Sequence, residues 1–168
     1  MKGQGMDERT RTMLASAAGL VWALLLLWVA ASFVRLPVFT LMPTIMTAFL
    51  APGLVLAAMV LRVALRRTGD RDMLAGGPLH GPAVADQRAL QNTLEQLVLA
   101  LCIWPAAAVM LGGAGPGVIV TLGGGFALTR LVYWVGCHRA SHLRILGFSA
   151  GFWPTVLVAL WALWAVAT

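Results

Sequence analysis

Five apolar runs, at residues 13–33, 41–65, 90–111, 118–135 and 145–166, limit what this chain can become more than any other feature. A helix of roughly 20 apolar residues spans the hydrocarbon core of a bilayer, which is about 30 Å thick. The chain has 168 residues, 60% of them hydrophobic and 11% charged. A soluble domain of this size carries about twice that share of charge. The runs therefore predict an all-α integral membrane helical bundle. At this length no separate soluble catalytic domain is expected, and an active site is expected between the helices or at their ends.

The charges say which way the bundle points. The formal net charge is +6. With the N-terminus inside, the inner segments hold Lys2, Arg9 and Arg11, then Arg62, Arg66, Arg67, Arg71 and Arg88, then Arg139 and Arg144. The outer segments hold only Arg35. The positive-inside rule then predicts a cytoplasmic N-terminus, an outer C-terminus and, for a bacterial protein, the inner membrane. The basic residues read as topology signals, and no nucleic-acid motif accompanies them. Residues 1–12 read as a polar, partly disordered cytoplasmic tail. The first run exceeds the usual apolar core of a signal peptide, and two acids, Asp7 and Glu8, precede it. It is expected to be a retained span.

Prolines and glycines punctuate the rest. Pro43 suits a first helical turn, Pro52-Gly53 should loosen the second run, and Pro105 should kink the third. Residues 62–85 are expected to form the main loop, with a basic rim that draws anions. Residues 112–117 should turn tightly, and residues 137–144 should form a short polar loop. Gly123-Gly124-Gly125 allow close helix approach and do not resemble a phosphate loop. Cys102 and Cys137 make neither a disulfide framework nor a zinc site. His80, His138 and His142 lack metal-ligand spacing, apart from the i, i+4 relation of the last two. They read as polar groups at headgroup level, and no metal is expected. Trp153, Trp161 and Trp164 read as packing and interface anchors.

The chemistry concentrates at the start of the third run. In a helix, Arg88, Asn92 and Glu95 stand at i, i+4 and i+7 and point the same way. Glu95 reads as the only acid inside a span, and such a residue faces a protein interior or a wet cavity. A structural Arg88–Glu95 pair and a ligand site fit the spacing equally. Arg130, late in the fourth run, is expected to snorkel or to pair with Glu95.

The spacing Arg88-x-x-x-Asn92-x-x-Glu95 resembles the signature of the MAPEG family, the membrane-associated proteins in eicosanoid and glutathione metabolism. A second block, Arg130-Leu-Val-Tyr133-Trp-Val-Gly136-Cys137 followed by Arg144, resembles the family's Arg-x-x-Tyr-x-x-Gly-Tyr stretch and its trailing arginine. The separation of Tyr133 from Arg144 fits the leukotriene synthase branch, and the chain as a whole resembles a bacterial-type member similar to microsomal glutathione transferase and leukotriene synthase. The resemblance covers about residues 41–168. It implies four family helices, with residues 13–34 as an added one, and a homotrimer with sites between subunits.

The resemblance also implies glutathione as co-substrate, bound by Arg88, Asn92, Glu95, Tyr133 and Arg130. Arginine forks suit its carboxylates, and an amide side chain suits its peptide groups. Arg144 matches the arginine that activates the thiol, a role with a sound physical basis: a fixed cation favours the nucleophilic thiolate. The implied activity is a transferase or peroxidase acting on a lipophilic partner that enters from the bilayer. Two positions depart from the pattern: Gln96 stands where an aromatic often follows the glutamate, and Cys137 replaces the second tyrosine. These departures and the added helix also fit a non-catalytic subunit or assembly factor of a larger membrane complex. A transporter fits less well, because no inverted repeat is visible.

Overall fold

The computed structural model describes the backbone of residues 2–168 and the side chains of residues 8–168. The helices are α1 (Lys2–Phe33), α2 (Leu41–Ala48), α3 (Leu50–Thr68), α4 (Arg71–Leu74), α5 (Pro82–Met110), α6 (Gly115–Arg139) and α7 (Ser141–Ala167). No strand occurs among the described residues. Five stretches are long and apolar enough to cross a membrane: Glu8–Phe33, Val38–Thr68, Pro82–Met110, Gly112–Arg139 and Ser141–Ala167. The protein is an all-α membrane bundle.

Several boundaries differ from the sequence expectation. The stretch expected as a tail is continuous with α1 from Lys2 onward, and Met1 lies outside the described residues. The second span breaks at Phe49 rather than at Pro52-Gly53. Proline has no N–H and its ring crowds the carbonyl four residues earlier, so Pro52 acts on Ala48, the last residue of α2. The expected loop at 62–85 is shorter. α3 runs to Thr68, and α5 begins at Pro82, whose missing N–H costs nothing in a first turn. Gly81, with φ of 57°, supplies the left-handed residue before it. The expected loop at 137–144 shrinks to Ala140, which is extended between α6 and α7.

α6 is the hub. It packs against α1, α2, α3, α5 and α7, and 56% of its most apolar window is buried, against 22% in each of the first two spans. Trp104 anchors the core, stacking on Phe49 at 5.4 Å and meeting Phe126 edge-on at 5.8 Å. Its Nε1 donates to Thr155 Oγ1 at 3.1 Å, so the indole carries no unpaired donor into the core. The outward residues of α2 and α3, including Met42, Met46, Leu50, Leu54 and Leu61, are exposed and apolar, as a lipid-facing surface requires.

Of the three consecutive glycines, Gly123 packs against the carbonyl of Ala48, which Pro52 leaves without its helical donor, while Gly124 faces open space. Gly123→Ala should therefore destabilise the bundle by about 1–3 kcal/mol through overpacking against backbone. Gly124→Ala should be neutral or slightly stabilising, because alanine is the better helix former. Thermal unfolding in detergent checks both; equal melting temperatures for the two variants would refute the close approach.

α1 lies along α7. Gly19 packs on Ser149, whose Oγ donates to the Ser16 carbonyl at 2.9 Å. The starts of α1, α5 and α7 and the ends of α3 and α6 share one end of the bundle, the basic end.

Candidate functional site

The helical phase of α5 carries Arg88, Asn92 and Glu95 along one flank, two turns in all. Arg88 and Glu95 are exposed, and no ion pair joins them. Gln91 Nε2 donates to Glu95 Oε1 at 3.0 Å instead. Asn92 turns partly inward, where its Oδ1 accepts from Arg130 Nη1 at 2.9 Å.

Arg130 corrects the expectation of snorkelling or of pairing with Glu95. Its side chain is 0% exposed. Nη2 donates to the Gly147 carbonyl, and the guanidinium lies over the rings of Phe126 and Tyr133, 5.3 and 5.1 Å from their centroids. The cause is position: Arg130 stands on the face of α6 that packs against α5 and α7, so its side chain meets Asn92 and Gly147 before it reaches water. None of the described carboxylates pairs with Arg130. Its charge is met by carbonyl oxygens and ring faces, an arrangement that suits a planar, weakly hydrated guanidinium and not an ammonium.

Gln96, which stands in place of the family aromatic, is buried beside Arg130 and not on the outer face. Its Nε2 donates weakly to the Phe148 carbonyl at 3.5 Å, and its Oε1 is unpaired, as is Arg130 Nε. Gly151 leaves room for both, since a Cβ there would meet Arg130 Nη2 and Gln96 Oε1.

Tyr133 and Cys137 sit one turn apart on α6 and interact with each other. Cys137 also lies in the fields of Arg88, Arg130 and Arg144. Arg144 reaches this region because Gly136 lets the first turn of α7 close on α6, against the Arg144 backbone nitrogen. The side of Arg144 toward α1 lines a cleft of about 620 Å³ with Glu8, Arg9, Thr12 and Ser141. The tertiary structure thus brings Arg88, Arg130, Tyr133 and Arg144 near Cys137, ties Asn92 to Arg130, and leaves Glu95 on the outer face of α5.

A second polar cluster escaped the sequence reading. Asp86 lies inside the third span, so Glu95 is not the only acid in a span, and Asp86 is the buried one at 1% exposure. Its Oδ2 accepts from Arg66 Nε at 3.1 Å, with Arg62 Nε at 3.8 Å. Its Oδ1 accepts from Trp134 Nε1 at 2.8 Å and meets His138 Nε2 at 2.7 Å. His138 is therefore part of the last turn of α6 and held by a carboxylate, rather than being a loop residue. The available signal was a pair of registers: Arg62 with Arg66, and Trp134 with His138, each at i, i+4 and so each on one helix face. Among the described residues, no three His, Cys, Asp or Glu side chains converge as metal ligands would.

A five-span helical bundle with a cluster of buried and half-buried polar side chains toward its basic end defines an integral membrane protein. The chain belongs to the MAPEG family, whose model matches residues 40–164. α1 lies outside the matched segment. No curated protein and no solved structure matches the chain.

Proposed function

We propose that this protein is a glutathione-dependent membrane transferase or peroxidase that acts on a lipophilic substrate at the cytoplasmic face. The observation that carries the reading is the convergence of three arginines, Arg88, Arg130 and Arg144, with Tyr133 at the basic end of a MAPEG bundle. Glutathione is an anionic tripeptide, and a thiolate is its reactive form. Arg88 on the exposed flank of α5 is suited to a carboxylate, and the free NH₂ of Asn92 to a peptide carbonyl. Arg130, fixed by its own contacts, orders Asn92 and Tyr133 from beneath. Arg144 supplies a permanent cation for the thiolate without acting as a base.

Glu95 completes the site only if another surface covers it. An exposed carboxylate among the outward Leu94, Val98 and Leu101 is costly in lipid. A homotrimer with α5 lining the subunit interface gives Glu95 a polar neighbour. A monomeric mass in mild detergent with full activity would sink the trimer.

The test of function is turnover by the purified protein with glutathione and either an aryl halide or a lipid hydroperoxide. Absence of both activities, with copurification in fixed ratio with a larger complex, would favour the non-catalytic subunit. Arg88→Ala should weaken glutathione affinity by at least tenfold, about 1.4 kcal/mol, as measured by titration calorimetry. Cys137→Ser should keep a substantial fraction of turnover, because the reacting sulfur belongs to the ligand; complete loss in a folded variant would make this a protein-thiol enzyme.

A further inference from the structure

We infer that the cleft around Asp86 is a binding site for the phosphate headgroup of an anionic membrane lipid. The cleft has a volume of about 360 Å³ and is lined by Arg62, Arg66, Asp86, Trp134, His138 and Arg139. It is separate from the proposed glutathione face. Asp86 precedes Glu95 by nine residues on α5, about two and a half turns, so the two point in opposite directions. On α6, Trp134 and His138 likewise sit on a different flank from Tyr133 and Cys137.

Charge and geometry both favour an anion. Three arginines line the cleft against a single carboxylate. That carboxylate is committed inward: each of its oxygens is engaged by the protein. Arg66 is held through Nε, and Arg62 approaches the same oxygen by its Nε. The terminal nitrogens of both guanidiniums remain available as forks, the geometry that suits phosphate oxygens. Asp86 thus acts as a buried strut that aims two arginines at the cleft. Arg62 is half exposed and Arg66 about one-third, at 50% and 34%, so their heads reach solvent and can meet a ligand.

Depth identifies the source of the phosphate. Arg62 and Arg66 occupy the last two turns of α3, Asp86 the second turn of α5, and His138 and Arg139 the final turn of α6. All lie where a membrane-spanning helix leaves the hydrocarbon. Trp134, an amphipathic ring of the kind that marks this level, forms one wall. Val135 lines the cleft itself, Leu131 stands one turn before it on α6, and Leu61 and Leu65 neighbour the two α3 arginines; all four are exposed and apolar, which suits acyl chains beside a phosphate. Basic clefts between helices on the cytoplasmic side are the general form of anionic headgroup sites.

The test is native mass spectrometry of the detergent-solubilised full chain with phosphatidylglycerol, phosphatidylcholine or inorganic phosphate. Wild type should retain a phosphatidylglycerol adduct and bind phosphatidylcholine at least tenfold less. The double variant Arg62→Ala/Arg139→Ala, which alters exposed side chains, should lose that adduct with an unchanged melting temperature. Asp86→Asn should weaken the adduct by several-fold, because an amide no longer anchors both arginines. An undiminished adduct in the double variant would overturn the site. Displacement of the lipid by millimolar phosphate would overturn the lipid as its occupant.

Discussion

Arg130→Ala is expected to cost about 3–5 kcal/mol of stability, the largest effect of any single substitution considered. Truncating a buried side chain of this size leaves a cavity, which alone costs a few kcal/mol. Here the loss is compounded. Part-buried Asn92 Oδ1 loses its donor, at up to about 1–3 kcal/mol for a polar group left unpaired, and the Gly147 carbonyl loses its side-chain donor while keeping its helical one. The rings of Phe126 and Tyr133 lose the cation between them. Arg130→Met separates the contributions: it restores volume but not the hydrogen bonds, and should recover part of the loss. Arg130→Lys keeps charge but cannot reach Asn92 and Gly147 with a planar fork, and should also fall short of wild type. Unfolding in detergent, followed by tryptophan fluorescence, reads all three. If Arg130→Ala lies within about 1 kcal/mol of wild type, the guanidinium does not occupy this buried position in the bilayer.

The second large effect concerns rate. Arg144→Ala should lower kcat by about a hundredfold while changing KM much less, as expected for loss of a group that stabilises charge where it develops. It should also reduce the thiolate absorbance of bound glutathione at neutral pH. The sign follows from charge: removing a cation disfavours the anionic form, so the bound thiol should ionise at higher pH in the variant. Paired titrations of absorbance and turnover against pH check this on wild type and variant. Identical curves in a folded variant would reduce Arg144 to a topology-setting residue, and the enzyme reading would lose its chemical support. Arg88→Ala should behave in the opposite way, raising KM with little change in kcat.

Legibility divided along a physical line. Span number and order follow from run length against bilayer thickness, a local property, and all five runs are helices. The i, i+4, i+7 alignment of Arg88, Asn92 and Glu95 follows from helix pitch and needs no partner. Boundaries were less accurate, because a helix end depends on single residues. Pro52 broke the second span three residues upstream of itself, and Ala140 alone formed the turn expected to take eight residues.

By itself, then, the sequence determined the membrane class, the helices, their basic end and the family, since each rests on periodicity, charge or a motif within one segment. Only the tertiary structure decided the partners of the buried charges. Arg130 met Asn92 across 38 residues, and Asp86 met Trp134 and His138 across 48 and 52. Which faces of two helices meet is set by packing, here by the glycines that let α6 approach its neighbours. Glu95 was the conspicuous acid in the sequence, yet packing turned it outward and buried Asp86 instead. Nothing within a single helix distinguishes the two carboxylates; the neighbours of each one do.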